Sequence, residues 1–138
     1  MRFVDSNVFL YAILKPRRQL TNKEEERKAK AREIYDRIDG GEEVMTSTVH
    51  LSEVANVLEE AAGLRFSIDF TEALLRKGNV RVEGVTRGVC VSACVQAKRN
   101  DVGVNDAIAY MIMVQNNVRE IYSFDRHFDR LDIVRVES

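Results

Sequence analysis

No run of this sequence is apolar for long enough to span a membrane, and its amino terminus lacks the basic head, apolar core and cleavage site of a secretory signal. Both absences point to a cytosolic protein. An excess of either charge is also missing: 21 Lys and Arg stand against 22 Asp and Glu, for a formal net charge of -1. No global positive field draws the chain onto nucleic acid, so any such binding must come from local patches. Cysteine is nearly absent. Cys90 and Cys94 lie four apart in an apolar helical pattern with no companion ligands, which argues against a thiolate metal site and for two small buried residues in a reducing compartment. There is no internal repeat, low-complexity segment or interdomain linker. A length of 138 residues predicts a single domain, residues 1–138, that buries about two-thirds of its unfolded surface.

What is there is a chain of short apolar strands separated by helices. Phe3-Val4 reads as a buried strand ended by Asp5, after which Ser6 or Asn7 caps a helix with apolar residues at Val8, Leu10, Tyr11, Ile13 and Leu14. Pro16 breaks it. Thr21 or Asn22 caps a second helix to about Asp39, acidic at its start and basic in its body, whose polar first half is expected to stand clear of the core. A strand at Glu43–Thr46 leads, through Ser47 or Thr48 as caps, into a helix over about Val49–Ala62. A fourth helix, capped by Ser67, runs to about Lys77. Then follow a strand at Val80–Glu83, a helix capped by Thr86, an almost wholly apolar helix from about Asn105, a strand at Glu120–Ser123, a turn around Asp125, and a last strand at Ile133–Val136. Strands alternating with helices imply an α/β sandwich with a mostly parallel sheet.

Four acids stand out in that frame. Asp5, Glu53 and Asp125 each follow a strand, so topology sends them to the carboxyl edge of the sheet, where open α/β sheets bind ligands. Asp106 joins them if its buried helix runs back from that edge. Each has an ordinary alternative: Asp106 as a first-turn acid favoured by the helix dipole, Asp125 as a turn residue, Glu53 as a solvated helix position like Glu59 and Glu60. Together they are harder to dismiss. Two carboxylates about 4 Å apart repel by roughly 4 kcal/mol at an effective dielectric near 20, so a crowd of them needs raised pKa values or a cation. Oxygen ligands without Cys or His suit Mg²⁺ or Mn²⁺.

Phe3-Val4-Asp5-Ser6-Asn7, Ser52-Glu53, Asn105-Asp106-Ala107-Ile108-Ala109 and Ser123-Phe124-Asp125-Arg126-His127-Phe128, in that order and strand context, together resemble a PIN domain across nearly the whole chain. In size the sequence looks most like the VapC-type toxins of toxin–antitoxin pairs. The resemblance implies a Rossmann-like three-layer sandwich and a metal-dependent endoribonuclease that cuts RNA by in-line attack of water. It makes Asp5, Glu53, Asp106 and Asp125 the acidic quartet that does the chemistry and holds Mg²⁺ or Mn²⁺. Asn7 and Ser123 become residues that position those acids. It further implies an antitoxin partner and a homodimer.

An acidic site that holds a polyanion needs cations nearby. Arg17, Arg18 and Lys23, and Arg126, His127 and Arg130, are the candidates for RNA contacts, with ordinary solubilising charge as the alternative. His50 reads as a helix-surface histidine, Asp129 as a solvated turn acid, and Phe9, Tyr11, Phe66 and Phe70 as core aromatics before interface ones. A haloacid-dehalogenase-type phosphohydrolase would carry a second Asp where Asn7 stands. A receiver domain would pair acids near its first strand. The readings that stay beside the toxin are an RNA-processing PIN nuclease outside any toxin–antitoxin system and a PIN fold that only binds RNA or a partner.

Overall fold

Neighbouring residues of a strand point to opposite faces, and in the first strand both faces are apolar. Phe3 enters one core and Val4 the other, which makes this strand a two-sided centre. The computed structural model describes residues 1–138. Its elements are β1 (Arg2–Val4), α1 (Ser6–Ile13), α2 (Asn22–Asp39), β2 (Val44–Ser47), α3 (Thr48–Ala62), α4 (Leu64–Arg76), β3 (Val80–Glu83), α5 (Arg87–Asn100), α6 (Val104–Gln115), β4 (Glu120–Tyr122), a 3-10 turn (Arg126–Arg130) and β5 (Val134–Val136). The five strands lie in the order β3-β2-β1-β4-β5, every pair parallel. The fold is the α/β three-layer sandwich expected, and its sheet is parallel throughout.

On one face Phe3, Met45 and Ile121 pack against α5 and α6 through Ala93, Ala107, Ile108 and Met113, with Phe128 of the 3-10 turn closing that layer. On the other, Val4, Val44 and Tyr122 meet α1 to α4 through Val8, Ile34, Leu51, Leu58 and Leu74. Burial on both faces is why β1, β2 and β4 carry consecutive apolar residues, whereas the edge strands β3 and β5 alternate valine with charge. The chain winds from β1 outward to β2 and β3, then crosses to β4 and β5 on the other side of β1. The winding reverses between β1 and β4, so the crevice for a ligand opens there, beyond their carboxyl ends. Asp5 and Ser123 are the first residues past those two strands, and the Asp5 N–H extends the ladder to the Tyr122 carbonyl at 3.0 Å.

Several local expectations are corrected. The cap of α1 is Asp5, whose carboxylate accepts the Ser6 N–H, so neither Ser6 nor Asn7 caps it. Helix α4 begins at Leu64 instead of after Ser67, because Gly63 at φ 97° joins α3 to α4 as a one-residue hinge that only glycine adopts freely. Ser67 is buried within α4 and donates to the Ala55 carbonyl of α3 at 2.6 Å. Helix α6 starts, as expected, at the neighbour of Asn105, Val104, and Gly103 before it offers no side-chain cap. The polar first half of α2 buries no residue, as expected, but it is tied to α1: Lys28 donates to the Tyr11 and Leu14 carbonyls at 2.8 and 2.5 Å, satisfying the open end of that helix. The cysteines are free, with Cys94 exposed and Cys90 half-buried, because α5 buries only Val89 and Ala93. No helix is long and apolar enough to cross a membrane.

Candidate acidic site

Asp5 is the hub of the carboxyl edge. It is only 6% exposed, and its two oxygens have different partners. Oδ1 accepts the Ser6 N–H at 2.8 Å. Oδ2 accepts the Ser123 hydroxyl at 2.7 Å, and the Ser123 oxygen in turn accepts the Asp125 N–H at 3.0 Å. Ser123 thus ties the end of β1 to the loop after β4 and sets where Asp125 begins. The Ser6 hydroxyl lies 3.1 Å from Glu53 Oε1 and 3.4 Å from Asp5 Oδ1, bridging α1 to α3. Asn7 Oδ1 accepts the Phe124 N–H at 3.5 Å. Asp106, in the first turn of α6, Asp125 and His127 bring ligand atoms within 4.8 Å of one another. His127 donates its backbone N–H to Asp125 Oδ1 at 2.9 Å and sets its Nδ1 3.2 Å from the same oxygen. The structure therefore links Asp5 to Glu53 and Asp125 through Ser6 and Ser123, and gathers Asp106 against Asp125.

The electrostatics follow from this crowding. Burial pushes the Asp5 carboxyl up to about 7, and the charges of Asp106 and Glu53 push the same way, against the lowering effect of the Ser123 and Ser6 hydrogen bonds. Asp106 is raised to about 6 by burial and then by Asp125, with the Gly103 N–H and His127 partly offsetting. No lysine or arginine forms an ion pair with any of the four acids, and His127 pairs with Asp125. A divalent cation fits the donors that come together here, an oxygen each of Asp106 and Asp125 and a ring nitrogen of His127, with the carboxylates of Asp5 and Glu53 bonded through Ser6 at the same edge.

The remaining candidates are placed differently. Arg17 donates to the Ala61 carbonyl at the far end of α3, away from the first turns that carry Glu53. Arg18 is forked onto Glu24 at 3.0 and 2.7 Å, and Arg130 bonds the Asp101 carbonyl at 2.5 Å. Arg126 and Lys23 remain without a carboxylate and line one hollow beside Asp125. Asp129 is no free turn acid, since Arg135 grips it at 3.0 and 3.3 Å. His50 is not on the surface. It is 1% exposed, with Nδ1 2.6 Å from the Ser47 hydroxyl and its ring edge-on to Phe3. Burial holds its pKa down near 4, with slight support for the charged form from the Asn105 backbone. Of the aromatics, Phe9 is core and Phe70 half-buried, whereas Tyr11 and Phe66 are exposed. Ser6 is the site residue the sequence did not single out, and its only signal there was adjacency to Asp5.

The chain belongs to the PIN domain family, whose sequence model matches residues 2–134. Among solved structures it is similar to VapC20 of Mycobacterium tuberculosis, a sarcin–ricin loop cleaving toxin, with 24% identity and a TM-score of 0.77 over 99% of this chain and 98% of that one. A toxin–antitoxin complex from Klebsiella pneumoniae aligns at 9% identity and TM-score 0.69, covering 100% of this chain and 98% of that one. VapBC2 of Rickettsia felis, bound to a DNA fragment from its promoter, aligns at 11% and 0.65, covering 98% and 96%. These likenesses establish the fold. No curated protein matches the sequence.

Proposed function

We propose that this PIN domain is a metal-dependent endoribonuclease and the toxin of a toxin–antitoxin pair, acting on RNA in the cytoplasm. The observation that carries the reading is the acidic edge: ligand atoms of Asp106, Asp125 and His127 lie together, Ser6 and Ser123 tie Asp5 to Glu53 and to the backbone of Asp125, and no lysine or arginine forms an ion pair with any of the four acids. All four would hold Mg²⁺ or Mn²⁺. Such an ion supplies Lewis acidity toward the phosphodiester and toward the attacking water. The protein's own groups do the positioning. Ser6 and Ser123 orient Asp5 by hydrogen bonds to its two oxygens. Asn7 anchors the backbone of Phe124 and so the approach of Asp125. The reaction forms a bond from water oxygen to phosphorus and breaks the bond from phosphorus to the 3′ oxygen, leaving a 5′-phosphate and a 3′-hydroxyl.

Similarity to toxin–antitoxin complexes supports an antitoxin as partner. Exposed Leu64, Phe66 and Ile68 on α4, and Val91 and Val95 on α5, offer apolar surface for that partner and for a homodimer. The test is cleavage of a complex RNA pool with Mg²⁺ or Mn²⁺, with and without chelator, by the native chain and by Asp106→Asn. Cutting that needs the ion and vanishes in the variant, with circular dichroism unchanged, supports the proposal. Equal cutting by a correctly folded Asp106→Asn refutes it.

A further inference from the structure

On the β5 side of the acidic edge a polar hollow is walled by Lys23, Arg27 and Lys30 of α2 and by Phe124 and Arg126 of the loop after β4. Its two acids, Glu26 and Glu137, both pair with Lys30, at 3.6 and 3.7 Å, and Glu137 is also held by Arg135. Lys23, Arg27 and Arg126 are left with no carboxylate partner. Arg27 instead lies over the Tyr11 ring, 5.3 Å from its centroid, and Tyr11 leans on Phe124 at 5.6 Å. Phe124 is half-buried and stands in the chain directly between Ser123, which holds Asp5, and Asp125. Asn7 fixes its backbone, and Tyr11, one turn further along the same helix, supports its ring.

We propose that this hollow is a binding subsite for single-stranded RNA next to the acidic site. A base stacks on Phe124, and the adjoining phosphates meet Arg126, Lys23 and Arg27. The inference rests on the ribonuclease reading and deepens it by naming where the substrate strand runs. Two observations support this occupant, and the second favours single-stranded RNA over other polyanions. The unpaired cations supply the local attraction that a net charge of -1 withholds. The aromatic ring among them provides a stacking surface, which an unpaired base uses and a duplex hides. Phe124 and Arg126, which line the hollow, flank Asp125 in the chain, so a strand held here lies next to the loop that carries that acid.

The test is fluorescence anisotropy of a short labelled single-stranded RNA of mixed sequence with the full chain in chelator, so that binding is read without cleavage. The native protein should bind it in preference to the same sequence as a duplex. Phe124→Ala should weaken binding about five- to 150-fold, and Phe124→Tyr should restore it. Lys23→Ala and Arg126→Ala, both at exposed positions, should each lower the slope of log affinity against log salt by about 0.7. Arg119→Ala, at the opposite edge of the sheet where β4 begins, should change nothing. The proposal is overturned by absence of binding, by preference for duplex or for polyglutamate, or by unchanged affinity and salt slope in the Lys23 and Arg126 variants. Cleavage by Asp106→Asn is read separately. If that variant cuts as the native chain does while the hollow variants lose RNA, the acidic-site reading falls and the subsite stands.

Discussion

Replacing Asp5 by Asn should make the metal-free protein more stable at neutral pH, although Asp5 is the hub of the site. Its carboxyl titrates near 7 in the folded chain against an ordinary value of 3.8. The folded state therefore prefers the protonated acid. Between those two values the unfolded chain ionises freely while the folded one resists, so the contribution of Asp5 to stability falls as pH rises. The full cost is reached above the folded value. A shift of about three units at 1.36 kcal/mol each gives a penalty on the order of 4 kcal/mol at pH 8. Asn caps α1 as well as Asp does. Its amide can face Ser123, whose hydroxyl can turn away from the donor role it plays toward Asp5. Thermal and urea melts in chelator from pH 4 to 8 should show the stability of Asp5→Asn relative to the native chain growing with rising pH, since the opposing contribution of buried His50 and the parallel one of Asp106 are present in both. At pH 8 the variant should melt several degrees higher, given a response of roughly 2–4 °C per kcal/mol near this chain length. Adding Mg²⁺ or Mn²⁺ should raise the native melting point toward that of the variant and shift the variant little. A variant that melts lower than the native chain at pH 8 in chelator would refute this reasoning.

Other perturbations follow from single contacts. Ser123→Ala removes the hydrogen bond that favours ionised Asp5, so the acid limb of the pH–activity profile should move to higher pH. Gly63→Ala meets no atom within 4 Å but must keep φ 97°, and strain of about 1–3 kcal/mol should appear in denaturant melts. Ser67→Ala loses the bond to the Ala55 carbonyl, and urea unfolding should register about 1 kcal/mol.

Much of the fold was legible because its three inner strands are buried on both faces and each is followed by a helix or turn pattern. Phe3-Val4, Val44-Met45 and Ile121-Tyr122 are apolar at consecutive positions, and an acid or hydroxyl ends each run. That punctuation also made Asp5, Glu53 and Asp125 visible as residues of one edge. What escaped was tertiary in origin. Leu64-Arg65-Phe66 looks like a loop after a helix-ending glycine. Only the packing of α4 on α3, with Ser67 turned inward, shows that the helix resumes at once. His50 occupies a helix position that one apolar stripe would leave open, but Phe3 fills the space against it. The link from Ser6 to Glu53 spans α1 and α3. The hollow joins α2 to a loop near the other end of the chain. Neither leaves a trace in local spacing.

The central claim is that Asp5, Glu53, Asp106 and Asp125 together hold a divalent cation. Titrating Mn²⁺ into the protein and following loss of the free-ion electron paramagnetic resonance signal tests it without reference to any RNA target. The account predicts saturable uptake by the native chain, displaced by Mg²⁺ and lost or much weakened in Asp106→Asn. Equal uptake by a folded Asp106→Asn, or none by the native chain, would contradict it.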